Sequence, residues 1–138
     1  CHVIEALEII SIWQGDFFAS AELLDADDES DRCVLVPNKM ELSAIADIRP
    51  YDELEVGERV FTIGSPSGLE QTLGEGLISA LRVDDGLPLI LTTAPISPGS
   101  SGGGLFDDQG KLIGITTSPV EDGQQLNVAI AAESFGIE

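Results

Sequence analysis

The sequence holds a single histidine, His2, and only two cysteines, Cys1 and Cys33, in 138 residues. One imidazole leaves one candidate histidine base, and it stands ahead of every serine. Two cysteines are too few for a disulfide framework and are not spaced as a zinc site, so neither a metal nor another cofactor is expected. Bases are scarce too: six Lys and Arg stand against 25 Asp and Glu, a net charge of −19. Phosphate binding needs clustered cations, so no nucleic-acid partner is expected, and no anionic membrane surface. No apolar run approaches the ~20 residues that span a bilayer, so this segment is not expected to insert into a membrane. The opening "CHVIEALEII" has neither Met nor signal-peptide composition, and the chain reads as a piece of a longer one.

What is present is strand-forming sequence. Hydrophobic residues make up 43%, enough for a folded core in one domain or a close pair of subdomains. Short runs rich in β-branched residues, divided by turn residues, predict an all-β fold. Glu8–Gln14 and Phe17–Leu24, joined by Gly15-Asp16, predict a hairpin. "DADDESD" (Asp25–Asp31) predicts an acidic loop leading into a strand at Cys33–Pro37. It is no calcium loop, because Ser30 occupies the sixth position where glycine is needed. Further strands are predicted at Arg59–Gly64, Gln71–Val83, Leu87–Ala94, Leu112–Thr117 and Gln125–Ala131. Only "HVIEAL" and "AAESF" read as helical. The connector Arg49–Glu58 is the expected subdomain boundary, dividing the chain into residues 1–52 and 53–138.

"ISPGSSGGGLF" (Ile96–Phe106) is the unusual stretch. Core-like sequence flanks it, which excludes a flexible linker. A phosphate cradle needs a Lys, a Ser or Thr and then a helix after its glycines, whereas "GGGLFDDQGKL" runs into a strand, which argues against that reading. The remaining reading is a serine nucleophile. Gly99-Ser100-Ser101-Gly102-Gly103 formally matches the elbow of α/β-hydrolases, but that fold requires a histidine after the serine. With His2 the only histidine, the order His…Asp…Ser of chymotrypsin-like proteases is the one left open. Asp31, separated from the run "CVLV" only by Arg32, suits the acid, whereas Asp25, Asp27 and Asp28 are expected to face water.

"CHVIEA", "DRCVLV", "VGERVFTIGSPSGLEQTLGEGLISAL" and "TTAPISPGSSGGGLFDDQGKLIGITT" resemble the trypsin-like bacterial serine proteases of the HtrA/Deg type, over nearly the whole chain. The resemblance implies a chymotrypsin-like double β-barrel, the first barrel incomplete in this fragment. It implies a His2–Asp31–Ser101 triad, with the oxyanion held by the main-chain N–H groups of Gly99 and Ser101. By position, the P1 pocket falls to Pro95, Ile96, Ser97, Ile115, Thr116, Thr117, Asn127 and Ala129. None is charged, so small or medium aliphatic residues are expected there, with the substrate strand pairing near Thr116 to Ser118. Arg32 stands where the family has an apolar residue, and its charge is expected to extend into water. The glycines of Gly64–Gly76 are expected in turns. The function implied is a serine endopeptidase acting on unfolded polypeptides in the periplasm or cell envelope. The rival is a catalytically silent peptide-binding module on the same fold.

Overall fold

Strands form where β-branched runs were read, and tertiary pairing extends them into less favourable sequence. The computed structural model describes residues 2, 4, 7–39, 41–42, 45–65, 71–117, 120–121, 124–125 and 127–136. It divides into two compact units, Cys1–Ile45 and Ala46–Glu138.

The first unit is an antiparallel sheet of β1 (Ile10–Gln14), β2 (Phe17–Asp27) and β3 (Arg32–Pro37), in that order. Gly15 supplies the left-handed turn between β1 and β2 at φ +59°. The register pairs Ile10 with Ala21 and Ile12 with Ala19, which gathers small and aliphatic side chains on one face. The pair Trp13–Phe18 shares the other face, its rings stacked 4.9 Å apart and exposed. The acid-rich stretch begins inside a strand. β2 continues through Asp27, pairing Asp25 with Val34, Ala26 with Cys33 and Asp27 with Arg32, so the predicted loop shrinks to residues 28–31. Ladder pairing outweighs the poor strand propensity of aspartate here. Half of the predicted helix "HVIEAL" lies outside the described residues.

The second unit is a closed barrel. Its strands are β4 (Arg59–Gly64), β5 (Thr72–Asp84), β6 (Leu87–Thr92), β7 (Gly104–Asp107), β8 (Leu112–Thr117) and β11 (Val128–Ala131). They pair in the order β11-β6-β5-β4-β7-β8, while β9 (Val120–Glu121) and β10 (Gln124–Gln125) form a separate small ladder. Val60, Ile78, Ile90, Leu105 and Ile113 fill the interior and are almost wholly removed from water. Each such side chain stabilises by roughly 1.5–3 kcal/mol. The second predicted helix, "AAESF", is a single 3-10 turn, Ala132–Phe135, ended by the left-handed Gly136.

Gly74 and Gly76 lie inside β5 rather than in turns. A Cβ on Gly74 would collide with Thr62 Oγ1 and stand 2.9 Å from Pro95 Cγ; one on Gly76 would stand 2.6 Å from Ala94 Cα. Close approach of the segment before the serine loop is what requires them.

The segment before β4 packs on this unit. Arg49 donates its N–H to the Leu112 carbonyl at 3.0 Å. Its guanidinium forks onto Glu58 at 2.7 and 3.1 Å and reaches the buried Asp107 at 3.4 Å. Hydrogen bonding to Glu58 raises the Arg49 pKa further, burial opposes this, and Asp107 adds to the rise. Tyr51 donates its hydroxyl to the Arg82 carbonyl at 2.8 Å.

Candidate active site

The first unit positions His2 and Asp31. Asp31 ends the β2–β3 turn with a left-handed backbone, φ +55°, an uncommon conformation that aspartate tolerates better than most residues. Its Oδ2 lies 2.5 Å from His2 Nδ1, and its Oδ1 accepts the His2 main-chain N–H at 2.7 Å. Burial works to raise the Asp31 pKa, hydrogen bonds from the His2 main chain and ring work to lower it, and the net shift is downward. With Nδ1 engaged, His2 keeps Nε2 for a reacting group.

Arg32 departs from its expected role. Its side chain is only 25% exposed and folds back onto Asp27 instead of extending into water. Asp25 and Asp28 are exposed as expected, while Asp27 is half-buried and hydrogen-bonded within the turn. Cys33 is a half-buried free thiol; Cys1 lies outside the described residues.

The second unit builds the loop around Ser101. Gly99 and Gly102 adopt φ +92° and +89°, conformations that side-chain-bearing residues rarely take. Ser100 donates its N–H to Ser97 O at 2.9 Å, and Gly103 closes a turn onto Ser100 O at 3.0 Å. Thr116, buried on β8, holds this loop from beneath. Its Oγ1 donates to Ser100 O at 2.6 Å, its N–H donates to Gly103 O at 2.8 Å, and its carbonyl accepts Gly102 N–H at 2.8 Å. Among the described residues, the N–H groups of Gly99 and Ser101 meet no protein acceptor. Ser101 itself borders a depression shared with Ile63, Gly64, Ser65 and Gln71.

The residues assigned to a P1 pocket separate into groups. Pro95, Ser97 and Thr116 line a cavity of about 80 Å³ beside Ser100, together with Thr62, Gly64 and Gly74. Ile96 and Ala129 are buried, and Ala129 belongs to the barrel core. Ile115, Thr117 and Asn127 are half-buried and stand outside that cavity. Thr116 has both main-chain groups committed to the glycine loop, so it offers no edge for a substrate strand, contrary to expectation. Ser118 lies outside the described residues.

Sequence reasoning missed the supporting role of Thr116 and the cavity-lining Thr62 and Gly74. The available signal was the small-residue spacing "GEG" in β5, which marks close backbone approach.

A trypsin-like peptidase domain model matches residues 1–115. The periplasmic pH-dependent serine endoprotease DegQ of Escherichia coli is 40% identical over 132 residues, covering 88% of this chain and 28% of its own length. The putative serine protease HhoB of Synechocystis is 32% identical, covering 96% of this chain and 34% of its own. The chain thus spans about a third or less of these relatives. Among solved structures, the HtrA-type protease AlgW with a decapeptide superposes with a TM-score of 0.85 at 33% identity, over 97% of this chain and 44% of that one. The all-β, chymotrypsin-like architecture, the ordered motifs and these matches agree: the chain belongs to the trypsin-like peptidases, in their HtrA/Deg branch.

Proposed function

We propose that the chain is the catalytic part of a serine endopeptidase, with His2, Asp31 and Ser101 as its triad. The contact between Asp31 and the only histidine carries the reading, because it fixes the tautomer that general-base catalysis requires. His2 Nε2 takes the proton from Ser101 Oγ as that oxygen attacks a peptide carbonyl. Asp31 stabilises the imidazolium, and the uncommitted N–H groups of Gly99 and Ser101 receive the oxyanion. His2 then returns the proton to the leaving amine. Water repeats the sequence to release the acyl group.

The substrate class follows from neutral surroundings. No ionisable residue lines the cavity that contains Pro95, Ser97 and Thr116, so a P1 cation would be left unpaired there. Its volume of about 80 Å³ is well below the ~150 Å³ that holds a benzene ring, which favours small or medium aliphatic residues over aromatic ones. Polypeptide chains, unfolded ones above all, are the proposed substrates. A periplasmic or cell-envelope location is proposed from the names of the relatives.

A fluorophosphonate probe tests the assignment. Labelling at neutral pH that disappears in Ser101→Ala supports it. Absence of labelling in the parent chain, with peptide binding retained, would favour the silent binding module.

A further inference from the structure

Five hydrogen bonds tie the turn before Asp31 into a closed ring. Asp27 Oδ1 accepts the N–H groups of Glu29 and Ser30 at 3.1 and 3.3 Å. Its Oδ2 accepts the Ser30 hydroxyl at 2.6 Å and Arg32 Nη2 at 2.5 Å. Arg32 Nε then donates to Ser30 Oγ, also at 2.5 Å. Asp27 and Arg32 are cross-strand partners where β2 hands over to β3, so the ring sits at the mouth of the turn. Asp31 lies between two of its members, Ser30 and Arg32.

That placement bears on geometry. Left-handed backbone at a residue with a side chain is strained and persists only where its surroundings hold it. Returning Asp31 to an ordinary negative φ would redirect its carboxylate away from His2. Ring closure on both sides opposes that change. Arg32 supplies two donors in a rigid fork, which a lysine cannot reproduce.

We propose that Asp27, locked by Ser30 and Arg32, is a positioning residue that holds Asp31 in the left-handed conformation from which its carboxylate meets His2. The inference rests on the reading of His2 and Asp31 as catalytic partners. Asp27 suits the task because its own carboxyl is lowered to about 2, by the Ser30 hydroxyl first and Arg32 second, and so stays anionic across the working range.

The test uses the full chain with Asp27→Ala, Asp27→Asn, Ser30→Ala and Asp31→Asn. Turnover is expressed per fluorophosphonate-titrated site, and the hydrogen-bonded Nδ1 proton of His2 is followed by NMR. With one histidine in the chain, that resonance needs no assignment. Asp27→Ala should lower kcat roughly 10- to 100-fold with KM little changed, in line with small misplacements of catalytic groups, and should broaden or remove the resonance. Asp27→Asn keeps an acceptor for the two main-chain donors and should recover part of both signals. Parental kcat and resonance in Asp27→Ala would overturn the proposal, as would lost turnover with an unchanged resonance. Should Asp27→Ala not fold, Ser30→Ala decides on the same readouts, since it spares the main-chain bonds. Asp31→Asn separates the two levels. If it retains parental kcat, the catalytic pairing itself fails; if it loses kcat while Asp27→Ala does not, only the positioning role fails.

Discussion

Thr116 and Ser100, fifteen residues of chain between them, are joined by a 2.6 Å hydrogen bond from the threonine hydroxyl to the serine carbonyl. The bond lies directly behind Ser101, so it fixes the peptide plane from which the candidate oxyanion donor projects. Thr116→Val keeps the shape and deletes the donor; Ser100 O retains the Gly103 N–H, so the expected cost is that of one hydrogen bond, about 0.5–1.5 kcal/mol. Lower thermal stability and a lower acylation rate are expected together, with Thr116→Ser recovering both. A Thr116→Val protein that acylates at the parental rate would remove the loop-holding role.

Two adjacent glycines should fail for different reasons. A Cβ at Gly103 would stand 2.6 Å from Ile63 O and 3.0 Å from Ser100 O, both main-chain atoms that cannot move aside. At Gly102 a Cβ meets open space, and only the φ of +89° resists it. Gly103→Ala is therefore expected to displace the loop and abolish fluorophosphonate labelling. Gly102→Ala should cost about 1–2 kcal/mol in denaturant titration while leaving more of the labelling intact.

Acid should loosen the β2–β3 turn in a defined window. Asp27 is lowered from 3.8 to about 2, so its ionised form is favoured by folding. The stability it contributes is present above the unfolded pKa near 4 and is lost as pH falls through about 2. Asp27→Asn should flatten that part of the pH–stability curve, measured as unfolding midpoints at pH 5, 3 and 2. Equal slopes in parent and variant would show that the turn does not draw on this carboxylate.

Arg49 should matter to stability rather than to chemistry. Its removal leaves Glu58 with the Glu55 N–H at 2.7 Å and withdraws one partner from Asp107, which is 3% exposed but keeps the N–H groups of Gln109 and Lys111 at 2.9 Å. Those remaining donors place the expected loss for Arg49→Met below the roughly 3–5 kcal/mol of a fully buried pair. Chemical denaturation measures it, and kcat per titrated site should stay unchanged.

Legibility in the sequence followed the strength of local signals. β4 and β8 carry dense β-branched runs between turn residues, and both appear with the boundaries read for them. β7 was hidden because Gly104 reads as the end of a glycine-rich loop; barrel closure between β4 and β8 makes it a strand. The contact of His2 with Asp31 was legible because the histidine is unique and Asp31 sits at a loop-to-strand junction. The roles of Arg32 and Thr116 were not. A charge beside apolar sequence gives no sign of which acid it will meet, and a strand threonine gives no sign of the loop that will settle on it. Both depend on contacts that only register creates.

The stacked pair at the β1–β2 hairpin gives the molecule a built-in optical division. Trp13 is the only tryptophan and lies in the first unit, while Tyr51 is the only tyrosine and lies in the second. Trp13 is 69% exposed and keeps its surroundings through Phe18 alone among aromatic neighbours described, so its emission will follow the hairpin. Tyr51 is tethered to the barrel through the Arg82 carbonyl, so its signal will follow the closed sheet. Red-edge excitation reads Trp13 alone, and the shorter-wavelength emission that shorter-wavelength excitation adds reads Tyr51, so one denaturant titration gives two melting curves from one unlabelled sample, and any gap between their midpoints is the energetic independence of the units.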